Sequence, residues 1–151
     1  MLGNDIVDLE LAKIQSNWRR KNYLDKIFNA EEKLLITSAE KPDVMVWLLW
    51  SMKESAYKIH NRKTGIRNFA PNSLSCTIHS NTYGEVNIEG SIYFTKSDLQ
   101  KTFVHSIATP NYSMLEEIKI SIYEAPHNLF DYKSTKPGCI SHHGRYLALV
   151  Y

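Results

Sequence analysis

Two short stretches hold the residues whose types and spacing could do chemistry: WLLWSMKESAYK, Trp47 to Lys58, and GNDIVD, Gly3 to Asp8. In the first, an apolar run gives way to Lys53, Glu54 and Lys58. At about 100° per residue, Leu48, Ser51, Ser55 and Ile59 fall on one side of a helix and Trp50, Lys53, Glu54 and Tyr57 on the other, with Trp47 and Lys58 where the two sides meet. Glu54 and Lys58 are four apart and so are neighbours; alone, such a surface pair contributes only about 0.2–0.5 kcal/mol. A plainly solvated face does not usually carry both a Trp and a Tyr, so this face reads as a pocket wall. In the second stretch Asp5 lies inside a strand, where aspartate is depleted. Asp8 stands where the strand gives way to a helix and fits an N-cap as readily as a chemical role. A carboxylate on a strand and another on a facing helix can share a hard divalent cation. Mg²⁺ takes one or two carboxylates together with waters and phosphate oxygens, and nearby lysines would neutralise those phosphates. Asp5, Glu54, Lys53 and Lys58 therefore have the chemistry of a Mg²⁺–pyrophosphate site, although periodicity alone does not bring the two stretches together.

The elements that must position them follow from pattern. LGNDIV reads as a short strand, and the spacing of Leu9, Leu11, Ala12 and Ile14 begins a helix at Asp8. Asn29 and Glu32 form a capping box that opens a helix over Ala30 to Ser38. Pro42 and Asp43 start the next, which carries the charged stretch to about His60. After Gly65, SLSCTIH alternates as a half-buried strand does, SNTYGE is a turn, and VNIEGSIYF, TFVHSIA, EIKISIY and RYLALVY have strand chemistry. Glu124 to Gly138 reads as a long turn-rich connection. Helices first and strands after predict an α+β fold, N-terminal helices packed on an antiparallel sheet, as one domain over residues 1–151.

Composition narrows the partners. At 43% hydrophobic residues the chain is globular. No apolar run reaches the ~18 residues of a membrane helix, and no export signal is visible, so a cytoplasmic protein without membrane association is expected. A net charge of +2 argues against a nucleic-acid partner, but WRRK, with Arg19, Arg20 and Lys21, is a local basic cluster suited to an acidic protein or to solvent. The two cysteines, Cys76 and Cys139, make no disulfide framework or zinc spacing.

GNDIVD followed by WSMKESAYK resembles the paired motifs of the 4′-phosphopantetheinyl transferases, most closely the short, holo-acyl-carrier-protein-synthase type. DKIFNAEE, TGIRN and CISHHGRYLALVY are similar to further motifs of that family, in family order along nearly the whole chain. The resemblance implies transfer of the phosphopantetheine arm of coenzyme A, with Mg²⁺, to a serine of an apo carrier protein, releasing adenosine 3′,5′-bisphosphate. It also implies the residue roles. Asp5 and Glu54 match the metal ligands, and Asp8 the acidic residue beside them. Lys58 matches the pyrophosphate lysine, and Lys53 is the basic neighbour of Glu54. Ser141 and His142 match the pair that contacts the nucleotide end of coenzyme A. Glu54, directly or through a metal-bound water, could take the serine proton. Arg62 and Lys63 are candidates for phosphate contacts, with Gly65 in the loop that follows, and Arg19, Arg20 and Lys21 would face an acidic acyl or peptidyl carrier. The short type works as a homotrimer in which one chain gives the metal residues and its neighbour the Ser–His strand, and the same is expected here. Cys139 stands where the family's first Ser usually stands, and the loop after Lys58 is longer. Those departures leave a second expectation: a coenzyme-A- or carrier-binding module without transfer activity.

Overall fold

The computed structural model describes residues 1–80, 82–125 and 132–151; part of the turn-rich connection, 126–131, lies outside them. Strand β1 (Gly3–Asp8) leads into helix α1 (Leu9–Gln15), whose N-cap is Asp8. A short helix α2 (Tyr23–Ile27), absent from the sequence expectation, precedes α3 (Ala30–Ser38). The capping box of α3 is formed in both directions, Asn29 to the Glu32 N–H and Glu32 back to the Asn29 N–H. Helix α4 (Pro42–Thr64) begins with proline in its first turn, where no N–H partner is lost. It runs a turn past His60 to Gly65, which takes φ 72° as a left-handed cap.

Strands β2 (Ser75–Ile78), β3 (Tyr83–Ile88), β4 (Ser91–Leu99) and β5 (Phe103–Thr109) join β1 in an antiparallel sheet of order β1-β5-β4-β3-β2. VNIEGSIYF is thus two strands and not one. Glu89 and Gly90 both take positive φ, as a two-residue hairpin turn requires. Strands β6 (Ile120–Glu124), β7 (Cys139–His143) and β8 (Tyr146–Val150) form a second sheet of order β6-β8-β7.

Strand β5 shows how one alternation serves two cores. Val104 and Ala108 pack under α4 with Leu49, Met52, Ala56 and Ile59, while Ile107 joins Cys139 and Val150 on the side of the second sheet. Strand β1 is the seam. Its Gly3 lies so close to α4 that a Cβ would collide with the Ser55 carbonyl, and its Ile6 packs on Tyr146 and Ala148 of β8. Asp5 therefore has α4 on one side and β7 on the other.

Candidate active site

The open edge of β1, on the side away from β5, is completed by side chains of β7. The Ile6 N–H donates to Ser141 Oγ at 3.0 Å, and the Asp8 N–H donates to His143 Nδ1 at 2.9 Å. Ser141 Oγ in turn donates to Asp5 Oδ1 at 3.2 Å. From α4, Lys58 Nζ donates to the Asn4 carbonyl at 2.6 Å and lies 3.4 Å from Asp5 Oδ1. Glu54, one turn earlier on the same helix face, lines two cavities. One, of about 380 Å³, is bounded by Asp5, Tyr23, Trp47, Trp50, His142 and His143. The other, of about 410 Å³, is bounded by Tyr57, Lys58, Asn61, Arg62, Gly138 and Ile140. Among the described residues the aromatic first cavity is lined by no lysine or arginine, whereas the second is lined by both. Trp50 and Tyr57 are held on that face by Phe69, at ring-centroid distances of 5.7 and 4.8 Å.

The charges at this junction do not balance. Burial pushes the Asp5 carboxyl up to about 7 against the pull of Lys58, with the Glu54 charge adding to the rise and the Ser141 hydrogen bond opposing it. Burial also raises Glu54, again opposed by Lys58. One ammonium thus faces two carboxylates that would both hold a proton less tightly if more positive charge arrived. Among the described residues no three His, Cys, Asp or Glu side chains gather into a site that would hold an ion alone. Two carboxylates are what Mg²⁺ takes when phosphate oxygens and waters complete its shell. His143 is a neutral imidazole in character: burial lowers its pKa, opposed by Asp8 and helped by His142. Because Nδ1 accepts from the Asp8 N–H, its proton sits on Nε2 and points at Gln15 Oε1, 3.3 Å away.

A family model described as the 4′-phosphopantetheinyl transferase superfamily matches residues 1–113. The chain belongs to that superfamily. The match takes in Asp5, Glu54 and Lys58 and ends before β7. The structure of the holo-[acyl-carrier-protein] synthase from Thermotoga maritima superposes with a TM-score of 0.54 at 10% identity, covering 98% of this chain and 81% of that one. At that identity the likeness is one of fold, and it includes the second sheet. Among curated protein sequences, none matches significantly.

Within this transferase fold the expected site residues separate. Asp5, Glu54, Lys58, Ser141 and His142 come together around the two cavities. Lys53 does not, which corrects its assignment to coenzyme A. It lies about 140° round the helix from Lys58 and is fully buried, its ammonium 2.7 Å from Glu32 and donating to the Ile27 and Pro71 carbonyls at 2.8 and 2.7 Å. The Asp8 carboxylate is engaged by backbone donors: Oδ1 accepts the Glu10 and Leu11 N–H groups, and Oδ2 accepts the Arg145 N–H at 3.2 Å. Arg62 reaches the second cavity, but three of its donors go to carbonyls, those of Lys58, Gly138 and Leu2. Lys63 and Gly65 line neither cavity; Gly65 ends the helix. Arg19, Arg20 and Lys21 lie in the turn before α2 and border an exposed hollow of about 360 Å³. Arg19 is paired with Asp43 at 3.0 Å, and Arg20 lies over Tyr23, which opens into the aromatic cavity.

Strand β7, which carries Ser141 and His142, hydrogen-bonds to β1 of the same chain. His143, Tyr23 and Trp47 are cavity residues that the sequence reading did not select. Strand alternation, which turns Ser141 and His143 toward the same side, was the available signal for the first.

Proposed function

We propose that this chain transfers the 4′-phosphopantetheine group of coenzyme A to a serine hydroxyl of an apo acyl or peptidyl carrier protein, releasing adenosine 3′,5′-bisphosphate. The superfamily match supports the reaction class, and the observation that carries the reading is the junction at Glu54. An electron-rich carboxylate pair stands between a cavity lined by basic residues and a cavity without them. We read residues 1–151 as one transferase domain.

Phosphoryl-type transfer asks a protein mainly for positioning and charge neutralisation. Lys58, with one edge of Arg62, suits the diphosphate of coenzyme A in the second cavity and would stabilise charge on the departing nucleotide phosphate. Asp5 and Glu54 would hold Mg²⁺, which when bound supplies a Lewis acid for the diphosphate oxygens. Glu54, with its raised proton affinity, suits the proton released by the attacking serine hydroxyl. His142 borders the first cavity, which meets the second at Glu54, and would contact the coenzyme from that side. The exposed basic turn at Arg20 and Lys21 would speed encounter with an acidic carrier more than it tightens the complex. The test is direct: the protein is incubated with coenzyme A, Mg²⁺ and an apo carrier, and the carrier is weighed. A mass gain of one phosphopantetheine supports transfer; no gain across several acyl and peptidyl carriers leaves only a binding module.

A further inference from the structure

Resting on the transfer reading, we infer that Asn4 and His105 are positioning residues for Lys58: together they seat its ammonium on the edge of β1 and so keep the Asp5 carboxylate open to a divalent cation. The ammonium divides unequally between two acceptors. It donates to the Asn4 carbonyl at 2.6 Å and stands back from Asp5 Oδ1 at 3.4 Å. The two acceptors belong to adjacent residues, so a small turn of the Asn4 peptide would bring the ammonium onto the carboxylate. A closed pair there would satisfy Asp5 and compete with any other cation.

Asn4, Ile6 and Asp8 turn backbone groups to the open edge of β1, where side chains and not a strand ladder complete them. A strand paired along one side only can roll about its axis. The Asn4 side chain opposes that roll. It is fully buried, with Oδ1 3.0 Å from His105 Nε2 of β5 and Nδ2 donating to the Ala148 carbonyl of β8 at 3.5 Å. With Nδ2 turned to Ala148, Oδ1 faces the imidazole, and His105 Nε2 carries the proton between them. His105 is buried and neutral, held so by desolvation and by the charge of Lys58. Packing gives no reason for this polar pair. Their neighbours two residues on, Ile6 and Ile107, are apolar and fill the small cores on either side. An apolar pair of the same shape would be about as stable. What an apolar pair could not do is fix the Asn4 peptide by hydrogen bonds to two other strands.

Ion binding and stability separate a positioning role from a scaffold role. Mn²⁺ affinity is read from the free-ion signal in electron paramagnetic resonance titrations with coenzyme A present. The Mg²⁺ concentration for half-maximal carrier modification is measured beside it, both well below every variant's melting temperature. Closing Lys58 on Asp5 from 3.4 Å to about 2.7 Å, at an effective dielectric constant of about 20, corresponds to roughly tenfold weaker ion binding. His105→Leu is therefore expected to raise both constants roughly tenfold and to lower the urea midpoint, since Asn4 Oδ1 loses its donor. His105→Gln, whose amide N–H replaces the donor, should keep both constants near wild type. Asn4→Leu/His105→Leu removes both polar partners, so its midpoint should return toward wild type while the two constants stay raised. Ile107→Val, which loosens the neighbouring core without touching the pair, should lower the midpoint and leave both constants alone. Constants that do not move in His105→Leu, that recover with stability in the double variant, or that rise in Ile107→Val overturn the inference. Wild-type protein that binds no Mn²⁺ and modifies no carrier would instead defeat the transfer reading itself.

Discussion

Helix α4 offers a lysine to a carboxylate twice, and the two meetings are unlike. Lys53 meets Glu32 where neither side chain is exposed at all, whereas Lys58 meets Asp5 with the two side chains 30% and 14% exposed. Around Lys53 the accounts of donors and acceptors close. The ammonium has three acceptors. Glu32 takes the Asn29 N–H on one oxygen and the Cys76 N–H on the other. The knot ties α2, α3, α4, β2 and the turn at Pro71. Around Lys58 nothing closes: one ammonium serves two carboxylates, both held above their ordinary proton affinity by burial. A buried pair with every partner present gives the fold specificity and no reactivity. A half-open pair with excess negative charge is a place that a cation and a phosphate can complete.

The largest expected effect breaks the closed meeting. Lys53→Met leaves Glu32 buried without its cation, a loss of about 3–5 kcal/mol that urea denaturation would read as a much lower midpoint. Adding Glu32→Gln should return part of that loss, because the uncompensated charge goes with it. If Lys53→Met instead kept full stability and lost only affinity for coenzyme A, the contrast between the two lysines would be wrong.

At the open meeting the cost should fall on rate. Glu54→Gln is expected to slow carrier modification by about a thousandfold, which is about 4 kcal/mol of barrier. The melting temperature should hold or rise, since a desolvated charge has been removed. A fall of several degrees in melting temperature would show that Glu54 is part of the scaffold.

Acid sharpens the comparison further, because the open meeting is wired to a buried histidine. His105 Nε2 faces Asn4 Oδ1 at 3.0 Å, and burial, helped by Lys58, lowers its pKa to about 4. Its folded value lies below the unfolded one, so its contribution is present above about pH 6.5 and lost as pH falls toward 4. Asp5 has the opposite sign: its folded value, about 7, lies above the unfolded 3.8. The cost of burying its charge is full above pH 7 and is relieved as pH falls toward 4. The change amounts to about 4 kcal/mol for Asp5 and about 3 kcal/mol for His105, so over that window the two largely offset. Asp5→Asn should therefore be more stable than the wild type at pH 7.5, with the advantage gone by pH 4. Urea melts of both proteins across that range would show the crossing; a constant difference at all pH values would refute it.

What the sequence made legible was local. The Asn29–Glu32 box, the proline start of α4 and the Asp8 cap depend on residues within a turn of each other, and they appear where expected. The GNDIVD and KESAYK stretches could be named as chemistry because an aspartate in a strand and a carboxylate on an aromatic face lack a local reason. The five-residue α2 was missed because it has too few residues for a period and enters from Asn22 at φ 67°. Lys53 was misplaced for a different reason. A helical wheel gives angles but not neighbours, and the neighbour that claims Lys53 is Glu32, which from sequence had already been explained as half of a cap. The placing of β7 beside β1 is likewise set by contacts 135 residues apart in sequence, and no local pattern encodes it.

The smallest effect tests where α4 stops being chemistry. Gly65 ends the helix at φ 72°, with its N–H on the Asn61 carbonyl at 2.8 Å and nothing near the position of a Cβ. Gly65→Ala meets no clash and pays only the left-handed backbone, about 1 kcal/mol, which should lower the urea midpoint slightly. Since Gly65 lines neither cavity, the KM for coenzyme A should not move. A rise in that KM without a fall in stability would return the loop after Lys58 to the phosphate site. The reach of the open meeting along α4 would then extend beyond Arg62.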